Sequence, residues 1–327
     1  MVHPSSCEAH AYDVAVSLLK GEMSTDEMVR LLSAMHERGE SVDELVGFIS
    51  AMRDHMVPVS LDVPDLVDIC GTGGSHANRF NVSTAVALIL GCLGISVAKH
   101  GNRGSKKANG SVDFLDALGI PYALSNEAHQ ATLHAYGSTF LFARSYHPAL
   151  RHAVDARKQL TTRSIFNMTG PFCNPASPVH QVIGTPSKAL AERLVLVGQR
   201  LSYRTFSVIT SDIGLDECAT VGISTMYSVR DGHVHEQRID PRAYGIHHTM
   251  EDIQGGDANQ NASRFMAWLH DRCATHPIMV MVALNAAVVM HALDATVSID
   301  DGMARVIGVI TDGTVHDSIK RRQSNQP

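Results

Sequence analysis

Two glycine-rich segments, about one βα unit apart, carry the residue types that bind phosphates. The first, Gly71-Thr72-Gly73-Gly74-Ser75, follows the apolar run Leu66, Val67, Ile69 and precedes a helix-like stretch from Ala85 to Leu93. A strand, a glycine turn and a helix start aim backbone N–H groups and the positive end of the helix dipole at an anion. The second segment follows Ile95 to Ala98, a short buried-strand pattern, and brings Lys99, His100, Asn102 and Arg103 to that strand's end. Lys106, Lys107 and Ser111 come next. In an open α/β sheet both segments fall at the carboxyl ends of strands, where ligands bind. Together they suit a ligand with several phosphates. Neither has the GxGxxG or GxxxxGK[ST] spacing, so a dinucleotide fold or an ordinary P-loop has no motif support.

A third chemical feature is Asp216-Glu217, which follows the strand-like run Phe206 to Thr210. Two adjacent carboxylates on a loop can hold a hard, oxygen-liganded cation, although on their own they read more readily as an exposed acidic turn. His233, His235, His247 and His248 lie close together, but no cysteine or paired carboxylate completes a ligand set there. They are expected on loops around a hairpin whose turn is Asp231-Gly232.

These residues must be positioned by a sizeable fold. The chain has 327 residues, 44% of them apolar, enough for a large core in one or two domains. Charged residues make up 18% and the net charge is −6, so no broad basic field attracts nucleic acid or an anionic membrane. Six scattered cysteines without CxxC spacing indicate reduced thiols in a cytoplasmic protein. The apolar runs 82–98 and 278–293 are interrupted by polar residues and read as core, so no membrane span is expected.

Residues 8–56 show apolar positions at helical spacing, with Ser24 and the Ser41-x-x-Glu44 box as helix starts. From Leu66 onward, short apolar strands alternate with helical stretches, the pattern of a mostly parallel sheet. The expected fold class is therefore α/β: a small N-terminal helical domain over 1–64, and a larger α/β domain over 65–327 with a mostly parallel central sheet flanked by helices. A mid-chain helical excursion near 151–180 is expected to join the smaller unit. The polar tail from Ser318 to Pro327 is expected to fray.

The combination of Gly71–Gly74, Asn81-Val82-Ser83-Thr84 and the Lys-His-Gly-Asn-Arg run at 99–103 resembles the anthranilate phosphoribosyltransferase family of tryptophan biosynthesis. The resemblance continues through Gly21-Glu22 to Glu40-Ser41, Phe140 to Ala143, Tyr146-His147-Pro148-Ala149, Arg163 to Pro175, Leu215-Asp216-Glu217, Gly255-Gly256-Asp257, Asn261-Ala262 and Leu284 to Ala287. It implies transfer of a phosphoribosyl group from phosphoribosyl diphosphate to the amine of anthranilate, with release of pyrophosphate and dependence on Mg²⁺. Such chemistry uses positioning and electrostatics rather than a catalytic nucleophile.

By resemblance, phosphoribosyl diphosphate is held by Gly71, Gly74, Ser75, Arg79, Asn81, Ser83, Thr84, Lys99, Lys106, Lys107 and Ser111. Anthranilate is bordered by Gly71, His100, Asn102, Tyr146, His147 and Arg157, the last suited to a carboxylate by its planar fork. Ser83, Asp216 and Glu217 are the Mg²⁺ residues. The chain departs from the family pattern in three places. Ser75 stands where aspartate is usual, Arg79 where a small hydroxyl residue is usual, and Lys106-Lys107 where serines are usual. These changes leave open a relative acting on another aromatic amine or base, or a non-catalytic relative that binds nucleic acid. The apolar stripe of the N-terminal helices makes a homodimer the expected assembly.

Overall fold

The computed structural model describes residues 6–73, 79–104 and 108–324. Three helices open the chain: α1 (Ser6–Lys20), α2 (Thr25–Arg38) and α3 (Val42–Asp54). Both α2 and α3 begin on reciprocal caps. The Ser24 and Ser41 hydroxyls accept the Glu27 and Glu44 N–H groups at 3.3 and 3.2 Å. The two glutamates in turn accept the serine N–H groups at 2.8 and 2.9 Å. Donors that the first helical turn leaves free are thereby satisfied.

The α/β part runs β1 (Val67–Gly71), α4 (Val82–Cys92), β2 (Val97–Gly101), α5 (Ser111–Leu118), α6 (Asn126–Tyr136) and β3 (Ser138–Phe142). A helical excursion follows: α7 (Ala143–Tyr146), a 3₁₀ segment Pro148–Ala153, α8 (Val154–Gln159) and α9 (Ile165–Thr169). The chain then returns through β4 (His180–Gly184), α10 (Lys188–Arg200), β5 (Thr205–Ser211), β6 (Ser224–Arg230) and β7 (His233–Ile239). Four helices finish it: α11 (Ala258–His270), α12 (Pro277–Leu293), α13 (Ile299–Thr311) and α14 (Thr314–Ser324).

The described strands form one seven-stranded sheet in the order β3-β2-β1-β4-β5-β6-β7. Strands β1 to β5 pair in parallel, and β6 and β7 add an antiparallel edge. The edge hairpin turns on Asp231 and Gly232, both at positive φ (50° and 75°), as expected for a two-residue turn that matches strand twist. His233 and His235 are exposed on β7, and His247 is exposed in the segment beyond it. The expected α/β class with a mostly parallel, helix-flanked sheet and an N-terminal helical part is the observed one.

Among the described residues, the two larger apolar clusters lie on opposite faces of the sheet. On one face α4 packs against α12, and both are apolar nearly all round because sheet and helices enclose them. On the other, Leu18, Leu45, Phe48 and Ile49 of the opening helices share a cluster with Ala153, Ala156, Ile165 and Phe166 of the excursion, and with Ile183, Leu194 and Phe206 of the α/β part. The excursion thus returns the chain to the opening helices: α1 meets Pro148–Ala153, α2 meets α8 and α3 meets α9.

Sequence and structure differ locally. Helix α4 begins at Val82 rather than near Ala85, and β2 extends through Gly101. Lys99 and His100 are therefore strand residues with one side chain on each face, not members of the following loop. The tail does not fray at Ser318: α14 continues to Ser324, because Arg322 is 2% exposed and ties it to the sheet. Its guanidinium donates to the Ser138 carbonyl and hydroxyl at 3.0 and 2.7 Å and lies 4.5 Å over the Tyr136 ring. Among the described residues, no helix is long and apolar enough to cross a membrane.

Candidate functional site

Strand order reverses between β1 and β4: the chain leaves β1 toward β2 and β3, then returns on the other side as β4 and β5. A crevice opens at the carboxyl ends of such a strand pair. Here β1 and β4 end in register on Gly71 and Gly184, and the loop after β5 closes over both. A Cβ on Gly184 would stand 1.7 Å from the Asp216 carbonyl oxygen, and one on Gly71 would stand 2.7 Å from the Asp216 carboxylate. Glycine at both strand ends is what seats the acidic pair on the crevice. Ser211 fixes the near side of this loop, accepting the Leu215 N–H at 2.8 Å. Asn285 of α12 fixes the far side, with its side chain bonded to both the N–H and the carbonyl of Cys218 at 2.8 and 2.7 Å.

Ser83, in the first turn of α4, lines a small cavity of about 30 Å³ together with Asp216, Glu217, Gly184 and Asn285. The three residues expected to hold metal are thus brought together. Glu217 Oε1 is buried and has no hydrogen-bond partner among the described residues. Burial pushes the Glu217 carboxyl up, while the nearby Arg79 guanidinium pulls it down. Among the described residues no three His, Cys, Asp or Glu side chains converge as a ready metal cage. Two carboxylates plus a hydroxyl fit a cation that keeps most of its water or takes substrate oxygens, which is the habit of Mg²⁺.

Arg79 faces the acidic pair. Its guanidinium bonds the Asp216 carboxylate directly and lies 3.4 Å from Glu217 Oε2. An asparagine cluster pins its backbone. The Arg79 carbonyl accepts from Asn109 Nδ2 and Asn261 Nδ2, each at 2.8 Å. Asn261 also donates to Asn81 Oδ1 at 3.0 Å and accepts the Gly256 N–H at 2.7 Å. Asn81 reaches the Asn109 carbonyl at 3.2 Å. One buried amide therefore joins the first segment, the second segment and the start of α11.

The second segment is shaped by Asp113, whose Oδ2 accepts the N–H groups of Gly104 and Gly110 at 2.8 Å each. Arg103 pairs with Asp113 and Asp116 at 3.0 and 2.7 Å. Asn102 stays exposed at the end of β2, and Ser111 opens α5 against Gly101. Lys99 points elsewhere: it is 2% exposed and donates to the Ile69 carbonyl at 2.5 Å, beside the buried Asp68. Burial holds its ammonium below the usual lysine value, partly offset by Asp68. Thr84 is likewise buried within α4.

His100 and His147 form a paired wall, their ring centroids 5.4 Å apart. Burial pushes His100 down to about 3, so it is neutral, and its Nε2 has no partner among the described residues. His147 Nε2 lies 2.8 Å from the Cys173 carbonyl, which makes that nitrogen the protonated one. The Tyr146 hydroxyl is committed to His129 at 2.9 Å inside a separate apolar cluster. Arg157 is exposed on α8 with its guanidinium 5.4 Å over the Phe166 ring. Arg163, not singled out from sequence, reaches the Thr72 carbonyl at 2.6 Å and ties the excursion to the first segment. Gly74, Ser75, Lys106 and Lys107 lie outside the described residues. A wider depression of about 450 Å³, lined by Cys92, Tyr136 and Arg321 among others, opens near Ser96 and Gly137, which precede β2 and β3. It is at the opposite ends of the strands from the acidic pair.

The chain matches two glycosyl transferase family descriptions, the helical bundle domain over residues 8–56 and the a/b domain over residues 63–316. It is 36% identical to an anthranilate phosphoribosyltransferase of Geobacillus kaustophilus over 98% of this chain and 94% of that one. It is 39% identical to one of Methylorubrum populi over 93% and 90%. Among solved structures, anthranilate phosphoribosyltransferase of Thermus thermophilus superposes with a TM-score of 0.86 at 32% identity, covering 97% of this chain and 94% of that one. The Saccharomyces cerevisiae enzyme in complex with PRPP and Mg shares the fold, with a TM-score of 0.84 at 22% identity over 98% and 94% of the two chains.

Proposed function

The chain belongs to the glycosyl transferase family, and from that premise we propose that it transfers the phosphoribosyl group of phosphoribosyl diphosphate to the amine of anthranilate. The amine nitrogen forms a bond to the first ribose carbon as the bond from that carbon to the diphosphate oxygen breaks. Pyrophosphate leaves and the amine gives up a proton. The observation that carries this reading is the acidic pair seated on Gly71 and Gly184, beside the start of α4.

Each part of the site has a task in that reaction. The first turn of α4 offers unpaired backbone N–H groups and a positive dipole end to phosphate oxygens. Ser83, Asp216 and Glu217 would hold Mg²⁺, which neutralises charge on the departing diphosphate. The neutral His100 and His147 rings supply an uncharged wall for an aromatic acceptor, with His100 Nε2 open to one hydrogen bond. Arg157 supplies a cation with fork geometry for the acceptor's carboxylate. Arg163 bonds the first segment at Thr72, and Asn261 bonds it at Arg79. Further parts of the proposal are a division at residues 64 and 65, a homodimer built on the N-terminal helices, and a cytoplasmic location.

The test is purified protein with Mg²⁺ and phosphoribosyl diphosphate, following loss of anthranilate fluorescence and release of pyrophosphate. A panel of other aromatic amines and bases is run alongside. Consumption of anthranilate above all others supports the assignment. Consumption of another acceptor in its place, or no pyrophosphate release with any, overturns it.

A further inference from the structure

One of the residues that depart from the family pattern touches the acidic pair. Arg79 stands where a small hydroxyl is usual, and its guanidinium bonds Asp216 and lies 3.4 Å from Glu217. This is not a surface ion pair: the side chains of Arg79, Asp216 and Glu217 are 19%, 8% and 14% exposed. A charge in such a place must be matched closely, because desolvation is costly and solvent screening is weak. Nor is the arginine a loose end of a long loop. Its carbonyl is held by Asn109 and Asn261, and the backbone of Gly255 presses so closely that a Cβ there would fall 2.1 Å from the Arg79 carbonyl carbon. The fold therefore delivers one fixed positive charge to the two carboxylates.

We propose that Arg79 is an internal counter-ion that competes with one divalent cation for the Asp216–Glu217 pair. Without donor, the guanidinium neutralises one of the two carboxylates and repels a second cation. In the reaction, the same charge lies at the crevice where the diphosphate must bind, so Arg79 contributes part of the neutralisation that a hydroxyl residue would leave to metal. Guanidinium and metal are then alternatives at one place. The inference depends on the reading above only for what the charge does in catalysis; the competition itself is a property of the free protein.

Mn²⁺ serves as the probe, measured by electron paramagnetic resonance on the protein alone, without donor or acceptor. Wild type should hold Mn²⁺ weakly at the pair. Arg79→Gln, which keeps a polar side chain two atoms shorter and removes the charge, should bind one Mn²⁺ about tenfold or more tightly, since a unit charge a few Å from the ion is lost. Adding Asp216→Asn to Arg79→Gln should abolish that gain, and Arg79→Lys should retain wild-type binding. A second readout is thermal melting, where Mn²⁺ in excess should raise the Tm of Arg79→Gln more than that of wild type, because ligand binding stabilises only the state that binds. Equal Mn²⁺ affinity and stoichiometry in wild type and Arg79→Gln overturns the proposal, as does a gain that survives Asp216→Asn. The assay needs no turnover, so failure of anthranilate transfer and failure of this inference are separate results.

Discussion

Replacing Asn261 tests whether one amide holds the site's segments together. This side chain is fully buried and sits between three elements. Its two Nδ2 hydrogens can make two good bonds at once, and the partners at 2.8 and 3.0 Å are the Arg79 carbonyl and Asn81 Oδ1. Its Oδ1 accepts the Gly256 N–H at 2.7 Å. Asn261→Ala therefore removes about three bonds, each worth roughly 1 kcal/mol net. The Arg79 carbonyl keeps its bond from Asn109, so the loss should be about 2–3 kcal/mol.

The informative comparison is Asn261→Asp, the smaller chemical change. Aspartate keeps the acceptor for Gly256 but puts an oxygen where two donor contacts meet two oxygens, and it buries a charge. Its cost should equal or exceed that of Asn261→Ala. Urea unfolding gives the stability change from the midpoint at unchanged slope. Steady-state kinetics give the functional side: KM for phosphoribosyl diphosphate should rise in both variants, with a smaller change for the acceptor. If Asn261→Asp unfolds within about 0.5 kcal/mol of wild type, the range of an ordinary surface substitution, or if only the acceptor KM moves, the clamp has been misread.

Arg157→Ala should raise the acceptor KM about tenfold or more, the worth of a charge-assisted hydrogen bond, and an effect confined to the donor would place Arg157 at the other substrate. Gly71→Ala should lower turnover more than stability, since its Cβ meets a movable carboxylate at 2.7 Å, whereas Gly184→Ala meets the Asp216 backbone at 1.7 Å and should lower both; comparable melting losses in the two would refute this. His129 is buried neutral, with burial pushing it down to about 4 from 6.5. Its contribution is full above pH 6.5 and fades as pH falls toward 4. Wild type should therefore lose about 2 kcal/mol of stability by about pH 5 that His129→Gln does not lose. Parallel urea midpoints for the two proteins across that acid range would rule that out.

Much of this was legible because the signals are local. Capping boxes need only four residues, and the Ser41–Glu44 box is read and found as such. Hairpin turns announce themselves through Asp-Gly, and buried strands through short apolar runs between breakers. The acidic pair could be placed after a strand because β5 is apolar and the loop is not. What stayed hidden is what depends on partners far along the chain. Arg322 reads as a polar tail residue until the carbonyl ends of Tyr136 and Ser138 are beside it. Lys99 reads as a loop cation, yet strand alternation turns it toward Ile69. Asn109 and Asn261 read as turn residues, since asparagine is at home in turns, and only the fold brings them to the Arg79 carbonyl. Arg79 itself, grouped from sequence with the diphosphate-binding residues, lies across the sheet end on carboxylates 137 and 138 positions away.

The register of β1 and β4 leaves the base of the site less room for a side chain than its rim. Gly71 and Gly184 are directly opposed in the parallel ladder. Both lie under Asp216, so a side chain at Gly184 would block the descent of the acidic loop itself and one at Gly71 would displace its carboxylate. A bulkier residue at one position cannot be offset at the other, because each would strike a different part of the same aspartate. Arg79 approaches from above and meets the carboxylate rather than the backbone, so a side chain of another length or charge can enter without moving the sheet. The base of the crevice fixes where negative charge sits, and the rim decides what neutralises it. Substitution at the rim can therefore alter the balance between arginine and metal while the fold and the reaction class remain the same.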